Sequence, residues 1–373
     1  MTNTIVVLGG AYAGVQISHR LLKYTKPQVK DLKVILVSKN NHFFWNMASV
    51  RAIVPGVLKE EQYSQEITPG FAKYPSDAFE FVSGTAEALD TETKTVKVST
   101  TSGEERSISY DQLVLATGTR CVDTNVPWKN NGSYEELRAM MAETQDKVKA
   151  AKHIVVAGAG ATGVETAAEL AFEFKGSKEV VLLSGDGSIL GGDSVASSAM
   201  AELKKLGVTV QNNARVETAS TNAEGKTEIV LKSGETIVTD LYLPTMGMKP
   251  NSEYVPENLL TEHKYVEVDE FYKVKGAENI WAAGDIVSKP KATYVLTDKQ
   301  ASGVAKNIDA VLKGKKPTVV KLLPIDVLML ATGRSRGAGR MGSVKAFSIM
   351  VYMIKGKTLG TEKLLAYVDG SQF

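Results

Sequence analysis

The run His153-Ile154-Val155-Val156-Ala157, continuing into Gly158-Ala159-Gly160-Ala161-Thr162-Gly163 and Val164-Glu165, decides the fold. A short apolar, β-branched run reads as a buried strand. Small side chains along Val164 to Phe174, among them Ala167, Ala168 and Ala171, read as a closely packed helix. Between them, Gly158, Gly160 and Gly163 hold the three glycine places of a dinucleotide-binding turn. The first makes the tight turn, the second lets a pyrophosphate approach the backbone, and the third lets helix and strand pack together. The helix start then offers free N–H groups and a positive dipole end to phosphate.

Working outward, Val180 to Leu183 is the next strand and Ser194 to Leu206 a helix. Two runs, Lys226 to Leu231 and Glu235 to Val238, flank Ser233-Gly234 as a hairpin, and Leu241 to Thr245 closes the unit before Gly247. The end of the second strand carries Ser184-Gly185. An acid there holds the adenosine ribose and an Arg accommodates a 2′-phosphate, so the choice between NADH and NADPH stays open.

The same pattern stands at the start of the chain. Ile5 to Leu8 is a strand, Gly9-Gly10-Ala11-Tyr12-Ala13-Gly14 the turn, Val15 to Tyr24 a helix and Leu32 to Val37 the second strand. This copy departs from the pattern twice: Ala11 takes the middle glycine's place, and Ser38 stands where an acid usually meets the ribose. Residues 79–109 read as an inserted antiparallel sheet turning at Asp90-Thr91-Glu92-Thr93. Gln112 to Thr117 is a buried strand running into Gly118. Asn279 to Ala282 is a short strand ending in Gly284-Asp285, and Thr293 to Leu312 reads as a helix. The second unit is already complete before Asn279, so this strand must rejoin the first sheet. The expected fold class is α/β, with two Rossmann-like dinucleotide-binding units, one inserted in the other. The tail from Lys313 reads as a short α+β region with strand-like runs near Val319 and Leu328, a Gly/Arg-rich turn at 333–342 and an apolar stretch from Ala346 to Ile354.

Composition excludes several classes. At 373 residues, with 43% hydrophobic and 23% charged residues, the chain is an ordinary globular one, not disordered or fibrous. Its single cysteine, Cys121, rules out a C-x-x-C or C-x4-C redox pair. No apolar run approaches the roughly 18 residues of a membrane span, and the early first strand leaves no room for a signal or transit peptide. The expected location is cytosolic. Net charge is only +2, yet residues 299–373 hold thirteen Lys/Arg against four Asp/Glu. A basic tail suits an acidic partner or an anionic membrane surface. Nucleic acid is not expected, because basic–aromatic repeats are lacking.

Tyr110-Asp111-Gln112-Leu113-Val114-Leu115-Ala116-Thr117-Gly118-Thr119 and Asn279-Ile280-Trp281-Ala282-Ala283-Gly284-Asp285, with both glycine turns, resemble the two-dinucleotide flavoprotein superfamily of glutathione-reductase-like fold. Within it, His42-Phe43-Phe44-Trp45-Asn46, Ala48-Ser49-Val50-Arg51-Ala52, Gly163-Val164-Glu165 and Gly333-Arg334 are similar to the ferroptosis suppressor protein group and its fungal relatives. Type II NADH dehydrogenases are more distantly similar. The resemblance implies an FAD-binding domain at 1–119 and 268–312, an NAD(P)H-binding domain inserted at 120–267 and a C-terminal region at 313–373. It gives FAD the first turn (Gly9, Gly10, Ala11, Tyr12, Ala13, Gly14), Thr117 and Gly118, the Gly284-Asp285 pair at the ribityl chain, Arg51 at the pyrophosphate and the backbone of Ala86 at the adenine. It gives NADH or NADPH the turn at Gly158, Gly160 and Gly163, and sets Glu165 beside the flavin–nicotinamide contact. Lys299 and Gln300 would point toward the flavin's pyrimidine end. Thr2 stands where myristoylated relatives carry glycine, so a lipid anchor is not implied.

The function so implied is hydride transfer from NAD(P)H to FAD and electron transfer onward. A disulfide reductase needs a cysteine pair beside the flavin, where this chain has Phe43 and Phe44. The resemblance favours a quinone acceptor. A ferredoxin- or rubredoxin-type reductase and a redox-gated cell-death signalling protein are the alternatives, and the tail is expected to make peripheral membrane contact or, through Ala346 to Ile354, to pack against the FAD domain or a second subunit.

Overall fold

The computed structural model describes residues 3–129, 131–290, 293–322 and 325–373; Thr2 lies outside them. The first sheet has seven strands in the order Ile280–Ala282, Gln112–Leu115, Asn3–Leu8, Leu32–Ser38, Phe79–Asp90, Thr95–Thr100 and Glu105–Ser109. Its first five strands pair in parallel, and the last two continue it as an antiparallel extension. Ile5 to Leu8 and Val34 to Val37 are all buried, as parallel strands covered on both faces must be. Successive strands leave Asn3–Leu8 on opposite sides, so a crevice opens at the carboxyl end of the sheet between Gly9 and Gly118, the place where such folds bind ligands. Ile280–Ala282 joins this sheet beside Gln112–Leu115, as the sequence required.

The inserted half carries a parallel sheet ordered Thr209–Gln211, Glu179–Leu183, His153–Ala157 and Leu241–Pro244. An antiparallel sheet of Val216–Thr221, Thr227–Leu231 and Thr236–Thr239 adjoins it. The expected hairpin therefore has a third strand, Val216–Thr221, almost wholly exposed and without an apolar alternation to announce it. Thr119–Cys121 and Met248–Pro250 pair antiparallel where the chain passes between the halves.

Two expectations for the tail are corrected. Residues around Val319 form no regular element. The segment read as a Gly/Arg-rich turn is mostly strand: Val327–Thr332, Arg336–Met341 and Val344–Ala346 form an antiparallel sheet. Gly333 and Gly342 turn the chain at the segment's ends with φ +72° and +57°, whereas Gly337 and Gly339 inside the strand serve close packing. A Cβ on Gly337 would lie 2.5 Å from Val351 Cγ1, and one on Gly339 would lie 2.7 Å from Met329 Sδ. Glycine inside a strand often marks such close approach.

The tail clamps both halves. Tyr367 donates its hydroxyl to Tyr12 O at 2.9 Å, Trp45 Nε1 donates to Leu359 O at 2.9 Å, and His19 Nε2 meets Val368 O at 2.8 Å. On the other half, Arg334 pairs with Glu173, and Arg340 pairs with Asp193 at 2.7 Å. By contrast, Phe347, Ile349, Met353 and Ile354 stand exposed, with Phe347 80% accessible. Within the apolar stretch from 346 to 354, Val351 is buried, and it packs on Gly337 and Gly339 of the tail's own sheet.

Candidate functional site: two nucleotide turns

Gly9 has φ +114°, and a Cβ there would meet Ala116 O at 2.2 Å. A Cβ on Gly14 would stand 1.8 Å from Gly9 O. These contacts press the helix Tyr12–Arg20 onto the strand before it. That helix opens at exposed Ala11 with no side-chain cap, leaving its first N–H groups to a ligand. Across the crevice, Gly284 donates its N–H to Gln300 Oε1 at 2.8 Å, and a Cβ there would reach Ala13 Cβ at 3.6 Å. Asp285 Cβ lies 3.9 Å from the place of a Cβ on Gly118. The turn, Gly118 and the Gly284-Asp285 pair thus converge on one cleft. Tyr12 closes one side within an aromatic cluster, its ring 5.0 Å from Phe43, 5.3 Å from Trp45, 5.6 Å from Tyr367 and 5.7 Å from Tyr294. Burial pushes the Tyr12 hydroxyl well up, so it stays neutral.

The second turn repeats the geometry. Gly158 has φ +100°, and a Cβ on Gly163 would stand 1.8 Å from Gly158 O. A Cβ on Gly160 would meet nothing within 4 Å. The helix Ala161–Glu173 again starts without a side-chain cap. A glycine kept where no protein atom demands it leaves room for an incoming pyrophosphate.

Several site residues have partners that the sequence did not announce. Asp285 pairs with Lys129 and accepts from Thr119 Oγ1 at 3.3 Å. Thr117 spends its hydroxyl on Asn251 O at 2.7 Å, and its carbonyl accepts from Asn251 Nδ2 at 2.8 Å. Ala86 sits at a β-bulge in Phe79–Asp90. Such bulges re-aim backbone groups at the edge of a sheet. Gln300 is buried, its Oε1 accepting from Gly284 N–H.

Arg51 is engaged mainly by the protein itself. Its guanidinium, 2% exposed, makes a fork to Glu169 at 2.9 and 2.7 Å and donates to Gly356 O at 2.7 Å and Lys357 O at 3.0 Å. Four of its five N–H donors are thereby taken, leaving one for a pyrophosphate. Burial pushes the Glu169 carboxyl up, and the Arg51 fork opposes that shift. Removing either partner would strand a buried charge, a change that typically costs about 3–5 kcal/mol.

Glu165, also buried, accepts from Ala331 N–H at 2.7 Å and pairs with Lys355 Nζ at 2.7 Å. Lys355 further donates to Met329 O at 3.0 Å. No local pattern signals these long-range partners; only the docking of the tail brings them together. Cys121 is buried and unpaired, its thiol pushed up by burial, which suits a packing role.

A family model described as pyridine nucleotide-disulphide oxidoreductase matches residues 3–300. The chain belongs to that family. It is 42% identical to "Oxidoreductase ptaL" of Pestalotiopsis fici, across 98% of this chain and 99% of that protein. It is 26% identical to ferroptosis suppressor protein 1 of Xenopus laevis, across 96% and 94% of the two chains. Among solved structures, the sulfide:quinone oxidoreductase of Aquifex aeolicus superposes with a TM-score of 0.77, covering 99% of this chain and 92% of that one, at 17% identity. This likeness shows the two-dinucleotide flavoprotein fold. The chain is an oxidoreductase whose cofactors are FAD and NAD(P)H. The glycine cradles and uncapped helix starts fit two such nucleotides. The family's disulphide chemistry has no counterpart here, since Cys121 is the chain's sole cysteine.

Proposed function

We propose that the chain takes hydride from NADH or NADPH onto FAD and passes the electrons to a quinone. The observation that carries this reading is the pair of uncapped glycine turns, each with a closely packed third glycine, in a chain without a redox cysteine pair. FAD supplies the two-electron chemistry, and the protein aligns the rings and excludes water. Gly9, Gly10, Ala11, Tyr12, Ala13 and Gly14 hold the FAD pyrophosphate end, with Ala86 at the adenine and Thr117, Gly118, Gly284 and Asp285 along the rest of the molecule. Gly158, Gly160 and Gly163 hold NAD(P)H. Glu165, kept in place by Ala331 N–H and Lys355, orients the nicotinamide carboxamide. Arg51 meets the pyrophosphate with its remaining donor.

The acceptor reading draws support from the named relatives, one of them a sulfide:quinone oxidoreductase. Long-tailed quinones reside in membranes, and no helix among the described residues is long and apolar enough to cross one. Val344, Phe347, Ile349, Met353 and Ile354 form an exposed apolar cluster beside Lys345 and Lys357, suited to shallow insertion at an anionic surface. The basic tail is weaker than its sequence suggests, because Lys313, Arg334, Arg340 and Lys355 are paired within the chain. That weakens attraction to an acidic protein carrier and to an anionic surface alike, and leaves the exposed apolar cluster as the main support for surface contact.

Steady-state oxidation of NADH and NADPH, with and without a short-chain ubiquinone, tests the reading. Strong stimulation by the quinone is expected. Equal rates with and without it would remove the quinone as acceptor. Flotation with anionic liposomes at low and high salt tests the surface contact.

A further inference from the structure

We infer that Arg215 reads the 2′-phosphate of NADPH at the inner nucleotide site, with Asp186 as its partner when that phosphate is absent. The inference rests on the inner glycine turn holding NAD(P)H. In a nucleotide-binding βαβ unit, the end of the second strand faces the adenosine ribose. An acid there takes the diol, and an Arg nearby takes a 2′-phosphate. Ser184-Gly185 occupies that place and fills neither role.

The fold supplies both groups from elsewhere. The strand Thr209–Gln211 lies parallel to Glu179–Leu183, pairing Gln211 with Leu183. Beyond it the chain folds back along the loop that follows Leu183. Ser184 N–H donates to Gln211 O at 2.8 Å, Ala214 N–H to Ser184 O at 2.8 Å, and Asn213 N–H to Asp186 O at 3.0 Å. These bonds set Arg215 against Gly185: a Cβ on Gly185 would lie 3.3 Å from Arg215 Nε. The same loop leans on the glycine turn, with Gly158 N–H donating to Leu183 O at 3.0 Å and Leu190 N–H to Ala159 O at 2.8 Å. Arg215 and Asp186 therefore stand at the edge of the crevice into which Gly160 opens.

Arg215 Nη2 and Asp186 Oδ1 are 3.0 Å apart, and their side chains are 56% and 67% exposed. An ion pair this exposed is weak, so it yields readily to a stronger partner. A phosphate is that partner, because it accepts the planar guanidinium fork through two oxygens. Without the phosphate, Arg215 stays on Asp186, and the carboxylate accepts from the ribose diol. The chain then uses both coenzymes, and NADPH binding is the more sensitive to salt.

Calorimetric titration of the FAD-loaded protein with 2′,5′-ADP and with 5′-AMP tests this. Arg215→Ala should weaken 2′,5′-ADP on the order of 10- to 100-fold, the range of a lost charged hydrogen-bonding group, while 5′-AMP is unaffected. Arg215→Lys should recover part of the loss, and Asp186→Asn should tighten 2′,5′-ADP. KM for NADPH should rise in Arg215→Ala while KM for NADH holds. Unchanged affinity of Arg215→Ala for 2′,5′-ADP, with NADH still reducing the flavin, overturns this inference alone. If a bulky residue at Gly160 also leaves KM for NADH unchanged, the inner turn is not the coenzyme site, and the functional reading falls with it.

Discussion

Of their three glycine places, the two turns differ at the middle one, Ala11 against Gly160. In both, the outer glycines are demanded by the protein itself: Gly14 and Gly163 each leave 1.8 Å between a would-be Cβ and the carbonyl of Gly9 or Gly158. The middle position is not. At Gly160 the protein leaves open space, and at the equivalent Ala11 a methyl group stands exposed without strain on the fold. The outer glycines are therefore a folding requirement, and the middle one answers only to the ligand. Ala11 removes nothing that the first unit needs to fold. The helices after the turns differ too. The first meets the tail through a neutral imidazole, His19, and the second through the carboxylates of Glu165 and Glu173.

The outer positions should show the largest effects. Gly14→Ala or Gly163→Ala forces a methyl into a carbonyl oxygen, a loss of about 3 kcal/mol, the upper end of the usual overpacking range. Gly14→Ala is expected to yield little folded, yellow protein on purification. A normal Tm with full flavin would break the argument for the outer glycines.

His19 comes next. Its pKa is lowered to about 4, chiefly by burial, so it stays neutral in the fold while the unfolded chain protonates near 6.5. Its contribution is intact above pH 6.5 and lost as pH falls toward 4, by roughly 3 kcal/mol from the width of that window. Urea unfolding of wild type and His19→Asn at pH 7 and pH 4.5 measures it. The variant is expected to lose less stability on acidification, and parallel losses would place the acid sensitivity elsewhere.

Gly160→Val should fold and keep its FAD, with KM for NAD(P)H raised on the order of 10-fold or more, the scale of one lost charged hydrogen bond. Loss of FAD with normal KM would mean the two turns are assigned in the wrong order. Glu165→Gln should slow flavin reduction in single-turnover experiments by roughly 10-fold, as for one lost charged contact. An unchanged rate leaves Glu165 as a clamp for the tail only. Asp285→Ala should have the smallest effect, a fewfold drop in flavin affinity followed by equilibrium dialysis. Unchanged affinity would remove Asp285 from the cleft.

The sequence by itself determined the central strands of the two parallel sheets, both turns and the return of Ile280–Ala282 to the first sheet. These depend on local signals: apolar runs of strand length, glycines at fixed offsets, and a helix following each turn. It also disclosed that no cysteine pair is available. The tertiary structure alone decided who partners whom. Lys129 on Asp285, Glu169 on Arg51, Lys355 on Glu165 and Arg215 beside Gly185 are long-range meetings between segments whose local sequences hold no trace of each other. The tail was the hardest region to read for the same reason. Gly337 and Gly339 look like turn residues until Val351 and Met329 are seen pressed against them, and the tail's positive charge looks free until Glu173, Asp193 and Glu165 are found beside it. A chain's local pattern fixes which backbone it favours. The pairing of charges and the closeness of packing are set only when distant segments come together.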